Sequence, residues 1–94
     1  MSQSMMLISA DLSHPGQDYT KLYEAIDSLP GALRYQQSSW IVRWSGTSLE
    51  LRDLLRTYVS ENDKIMVARI ANVAFYDSDL LWKLSANGYP IYAA

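Results

Sequence analysis

Residues 39–70 read SWIVRWSGTSLELRDLLRTYVSENDKIMVARI, and the fold turns on this stretch. From Ser39 to Trp44 the pattern alternates. Trp40, Val42 and Trp44 point one way and Ile41 and Arg43 the other, which is the two-residue period of a strand. Thr47-Ser48-Leu49-Glu50 has the form of a capping box: the threonine hydroxyl takes a free N–H three residues on, and the glutamate reaches back. Behind it, Leu51, Leu54, Leu55, Tyr58 and Val59 recur at i, i+3, i+4, i+7 and i+8, the apolar stripe of a helix. Asn62-Asp63 ends that helix, and Lys64 to Ile70 forms a second apolar strand.

The chain before residue 39 repeats the theme. Met5 to Leu12 is a short apolar run without an N-cap, too short for a typical helix; it reads as a strand buried on both faces. Ser13-His14-Pro15-Gly16-Gln17 breaks the chain. Asp18 is placed to N-cap a helix through about Leu29, with Leu22, Ile26 and Leu29 at helical spacing. Pro30-Gly31 stops it. Ala32 to Gln37 is then a strand joined to Ser39–Trp44 by a tight turn near Gln37-Ser38.

The order is βαββαβ, which predicts an α+β, ferredoxin-like domain. Its four-stranded antiparallel sheet would run 4-1-3-2, with two helices on one face. The whole chain, 1–94, is expected to be one domain, with a core over 5–72 and a C-terminal extension over 73–94. In that extension Asp77 is placed to cap a short helix carrying Leu80, Leu81 and Leu84, closed by Asn87-Gly88, and Tyr89-Pro90-Ile91-Tyr92 reads as an extended arm. A single helical layer leaves one sheet face bare. A dimer partner or a folded-back C-terminal segment is expected to cover it.

Composition narrows the classes of function. The chain is 49% hydrophobic and 19% charged, a globular balance. It contains no cysteine, so disulfide scaffolds, thiol catalysis and thiolate metal sites are excluded. No apolar run is long enough to span a membrane, and Met1-Ser2-Gln3-Ser4 carries no basic region of a secretory signal. A cytoplasmic location is expected. The net charge of −2 disfavours a general nucleic-acid binder.

Few residues carry chemistry. Asp11 ends the first strand, where a carboxylate reaches solvent. Mg²⁺ favours one or two carboxylates with waters and phosphate oxygens, so two copies of Asp11 across a dimer axis would make a metal site. Equally, a strand-end aspartate bonds loop amides. His14, the single histidine, is either a general acid or base or an exposed loop side chain. Arg34, Tyr35, Trp40 and Arg43, with Trp44, are candidates for a surface that stacks nucleic-acid bases; aromatics on a sheet also serve interfaces. Asp63, Asp77 and Asp79 lack calcium-loop spacing, and isolated glycines give no phosphate loop.

Two motifs, His14-Pro15-Gly16-Gln17-Asp18-Tyr19 and Ser39-Trp40-Ile41-Val42, together with Asn62-Asp63-Lys64 before an apolar strand, resemble a group of small bacterial and phage-borne proteins often labelled SinR-like. Over residues 5–72 the layout resembles that of the second CRISPR-associated adaptation protein, a ferredoxin-like homodimer. That resemblance implies a homodimer, with Asp11 matching an aspartate linked in some members to metal-dependent nucleic-acid cleavage; in others the protein is a scaffold. The chain departs from the CRISPR proteins in lacking a basic stretch after the first strand.

Two functions are therefore expected. One is a non-catalytic homodimeric interaction or regulatory module that needs no cofactor and contacts protein or nucleic acid. The other is a Mg²⁺-dependent endonuclease acting on RNA or DNA, with paired Asp11 ligands and His14 as its base.

Overall fold

The computed structural model describes residues 3–13, 18–73 and 78–89. Strand β1 is Ser4–Asp11, helix α1 Thr20–Asp27, β2 Leu33–Gln36, β3 Ser39–Trp44, α2 Ser48–Leu55, β4 Lys64–Arg69 and α3 Ser78–Ala86. A single 3₁₀ turn, Arg56–Tyr58, extends α2. The four strands form one antiparallel sheet in the order β2-β3-β1-β4, the predicted arrangement.

The period of two divides the sheet into two apolar faces. Met6, Ile8 and Ala10 of β1 and Trp40 and Val42 of β3 pack against Leu22 and Ile26 of α1 and Leu51 and Leu55 of α2. Ile65 and Val67 of β4 join this layer, partly buried. On the other face Leu33 and Ile41 meet Leu80, Leu84 and Tyr89, with Met5, Leu7, Tyr35 and Ile70 packed around them. The folded-back C-terminal helix thus covers the β2 side of the second face.

The capping box at Thr47 is complete. The Thr47 hydroxyl accepts from the Glu50 N–H at 3.1 Å, and Glu50 Oε1 accepts from the Thr47 N–H at 3.1 Å. The start of α1 differs from the sequence reading. Its N-cap is Tyr19, without a side-chain cap. Asp18, one residue earlier, accepts from the Thr20 N–H at 2.9 Å and from the Thr20 hydroxyl. Those bonds, hydroxyl first, hold the Asp18 carboxyl below its usual range, with Lys21 assisting against some desolvation. An aspartate that bonds two residues ahead makes a turn of its own, so the helix begins one residue later than its aspartate suggests.

The C-terminal helix is pinned by a small latch. The Tyr89 hydroxyl donates to Gly31 O at 2.8 Å, and the Arg43 guanidinium lies 4.7 Å from the Tyr89 ring centroid while donating to Asn87 O. Gly31 and Gly88 both have positive φ, +63° and +75°, and both stand against this latch. A Cβ at Gly31 would lie 2.7 Å from the Tyr89 hydroxyl, and one at Gly88 2.9 Å from the Arg43 guanidinium. Both glycines are therefore required for their backbone angle, and Gly31 also for the space it leaves beside the Tyr89 ring. The predicted cap Asp77 and the arm from Pro90 onward lie outside the described residues.

Candidate functional site

Three regions hold the candidate residues. The first is the end of the sheet where β1 finishes. Asp11 is exposed and stands opposite Lys64, the first residue of β4, in the β1–β4 register. Opposite charges facing across an antiparallel ladder attract, so the carboxylate has a cation as its cross-strand neighbour. His14 lies outside the described residues. Among the described residues, no group of three or more His, Cys, Asp or Glu side chains is gathered in a way that could hold a metal ion.

Beside Asp11 is a polar junction built on Asp63, which the sequence reading took as a helix stop without calcium-loop spacing. Asp63 Oδ1 accepts from the Ser13 N–H at 3.0 Å and from the Tyr19 hydroxyl at 2.8 Å. Its Oδ2 accepts from the Ser60 N–H at 3.0 Å and the Ser60 hydroxyl at 3.1 Å. One carboxylate thereby ties the β1–α1 loop to the turn before β4. The local signal was Ser60-x-x-Asp63, a serine three residues ahead of an aspartate. The long-range half, fifty residues away at Ser13, has no local signal.

The second region is the predicted base-stacking set, which the structure divides between the two faces of the sheet. Trp40 is 1% exposed in the helix-side core, its ring 5.8 Å from that of Tyr23. Arg34 lies over Tyr23 and Trp40 at 5.0 and 5.4 Å and donates to Gln37 O. It closes the outer side of this aromatic pair as a cation–π lid. Tyr35 and Arg43 belong to the opposite face, with α3. A register shift between Arg34 and Gln36 adds to the separation. The expectation that Arg34, Tyr35, Trp40 and Arg43 make one surface is corrected on this geometry, because alternation along β2 and β3 sends neighbours to opposite sides.

Burial raises the Tyr89 hydroxyl above its ordinary range, with Arg43 acting in the opposite direction. The folded chain holds this proton more tightly than the unfolded one, so the latch contributes fully below the ordinary tyrosine range and fades as pH rises through it. Melts from about pH 8 to about pH 11.5 are expected to show stability falling above about pH 10. Tyr89→Phe is expected to lower stability at pH 8 by about 1 kcal/mol and to flatten that alkaline fall; an unchanged slope would remove Tyr89 as its cause.

The third region is the margin of β4. Leu49 and Met66 are 56% and 57% exposed, and with Ser48, Arg52, Ile65 and Val67 they line one shallow groove. Arg52 is held by Asp53 at 2.6 Å. Among the described residues no strand pairs with the outer edge of β4. No protein-family model matches the chain, and no solved structure matches it significantly.

Proposed function

We propose that the chain is a small, homodimeric ferredoxin-like interaction module that works by docking to protein rather than by chemistry. The observation that carries this reading is the β4 margin. Two large apolar side chains, Leu49 and Met66, are each more than half exposed and line one groove at a strand edge with which no strand among the described residues pairs. Single exposed hydrophobics are ordinary, but a grouped apolar patch at a sheet edge is what binding surfaces present. The net charge of −2 and the division of the aromatic and basic candidates between two faces favour protein over nucleic acid as the partner.

The test sets this reading against the nuclease reading built on Asp11. Purified chain and its Asp11→Ala variant are incubated with mixed RNA and DNA in Mg²⁺ or Mn²⁺, and light scattering gives the mass of each. The expected result is a dimer and no cleavage by either protein. Cleavage by the native chain that Asp11→Ala abolishes would replace this reading with the metal-dependent one. Retention of labelled nucleic acid without cleavage would make nucleic acid the partner.

A further inference from the structure

We propose that Asn87-Gly88 is a site of spontaneous deamidation, held off by the hydrogen bonds that end α3, and that its product releases this helix from the sheet. The chain has three asparagines, Asn62, Asn72 and Asn87. Asn62 precedes Asp63 and Asn72 precedes the β-branched Val73; Asn87 alone precedes glycine. Deamidation is an attack by the next residue's backbone nitrogen on the asparagine side chain. A next residue without a Cβ lets that nitrogen approach, and its backbone is the freest to turn.

The Gly88 nitrogen bonds to Asn87 Cγ and the Cγ–Nδ2 bond breaks. The proton lost from the Gly88 N–H leaves on Nδ2 as ammonia, relayed by water, and a cyclic succinimide remains. Water then opens either carbonyl of the ring. One product is aspartate; the other is isoaspartate, whose main chain runs through Cβ and Cγ. One water enters and one ammonia leaves, with no change of oxidation state.

The fold engages both reacting groups. The Gly88 N–H donates to Ser85 O at 3.0 Å and the Tyr89 N–H to Leu84 O at 2.9 Å. With Gly88 at φ +75°, these two bonds make a Schellman end, completed by Tyr89 and Leu84 in one apolar cluster. The Asn87 side chain is turned back along the helix. Its Nδ2 donates to Lys83 O at 2.7 Å, the same oxygen that accepts from the Asn87 N–H at 3.1 Å. Arg43 donates to Asn87 O. The nucleophile, the leaving nitrogen and the carbonyl between them are thus each held. Burial does not protect the pair, because Gly88 is exposed and Asn87 half-buried. The block is conformational and lasts while the end of α3 stays closed.

Neither product remakes this end. Aspartate turns an oxygen toward Lys83 O where the amide offered a donor. It also places a negative charge at the C-terminus of the helix, which the helix dipole opposes; Arg43 offsets part of this. Isoaspartate does more. Its lengthened main chain displaces Gly88 and Tyr89 from their acceptors, and with them the Tyr89 hydroxyl from Gly31 O and its ring from Arg43. α3 then loses the latch that seats Leu80 and Leu84 on Leu33 and Ile41. The change is one-way, and it uncovers the second apolar face whatever the partner at the β4 margin.

The test follows the mass of the peptide carrying Asn87 while the whole chain is incubated at mildly alkaline pH, folded or in guanidinium chloride. In the unfolded chain Asn87 is expected to exchange ammonia for water well ahead of Asn62 and Asn72. In the folded chain the exchange is expected to be at least about tenfold slower, the factor that two hydrogen bonds of ordinary net strength give. Asn87→Gln, whose longer side chain disfavours the ring, is expected to abolish it. Arg43→Ala, which frees Asn87 O and the Tyr89 ring, is expected to move the folded rate toward the unfolded one with an unchanged circular dichroism spectrum. Should Arg43→Ala fail to fold, Tyr89→Phe, which removes only the bond to Gly31, takes its place. The isoaspartyl chain, separated by chromatography, is expected to lose amide protection over residues 80–89 while Val42 keeps its own. A folded chain that deamidates as fast as the unfolded one, or a folded rate unmoved by the latch variants, would overturn the protection. An unfolded chain that spares Asn87 would overturn the site. An isoaspartyl chain whose α3 amides stay protected would overturn the release.

Discussion

Trp40→Ala is expected to destabilise the fold by about 3–5 kcal/mol, and to lower the Tm by more than about 10 °C. Trp40 is the largest of the fully buried side chains, at 1% exposure, and sits in the layer where β1 and β3 meet both α1 and α2. Truncation removes its buried apolar area and leaves a cavity bounded by well-packed neighbours, so both terms of a large-to-small change act. It also removes the Tyr23 ring contact and one of the two rings under Arg34. A domain of this size holds only about 5–15 kcal/mol in reserve, so the variant is expected to unfold in mild denaturant. Thermal and urea melts check this. Trp40→Ala that kept native stability while losing affinity for a single strand would show instead that the indole works at a surface. Arg34→Ala is the companion variant. Because Arg34 is exposed, covering the aromatic pair and donating to Gln37 O at the surface, its loss is expected to cost about 0.5–1 kcal/mol.

Asp11 stands opposite Lys64 in the β1–β4 register and has the simpler part of a strand-end carboxylate beside a cation.

What was legible in the sequence follows the range of the interactions. The bounds of β3, the Thr47 cap and the sheet order depended on alternation, a four-residue box and chain connectivity, all local or topological. They appear as expected. The start of α1 was misplaced because Asp18 is suited both to cap a helix and to bond its own loop, and the loop bond won. The aromatic surface failed for a reason already visible in residues 39–44. Trp40 and Arg43 differ by an odd number of positions and cannot share a face of one regular strand. The bare sheet face predicted a cover without saying whether α3 or a second copy would supply it. In the structure α3 packs toward β2, and Met66 at the β4 side stays exposed.

Asp63→Ala is expected to cost about 2–3 kcal/mol, and to loosen the β1–α1 loop before the rest of the domain. The carboxylate accepts from Ser13, Tyr19 and Ser60. Tyr19 is buried, so its hydroxyl loses a charged acceptor at a place where water is a poor substitute. Asparagine would not rescue the site. A carboxylate offers acceptors on both oxygens, whereas an amide presents one oxygen and one donor nitrogen. One side of the junction, either Ser13 and Tyr19 or Ser60, would then face donor against donor. Asp63→Asn is therefore expected to lose at least half of what Asp63→Ala loses, despite its matching shape. Hydrogen exchange distinguishes a junction from a general loss of packing. Amides of residues 13 and 60 are expected to lose protection first, because their N–H groups bond the carboxylate directly. The amide of Val42, in the middle of β3, is expected to keep its protection until global unfolding. Uniform loss across the sheet would show that Asp63 holds the core as a whole rather than joining two loops.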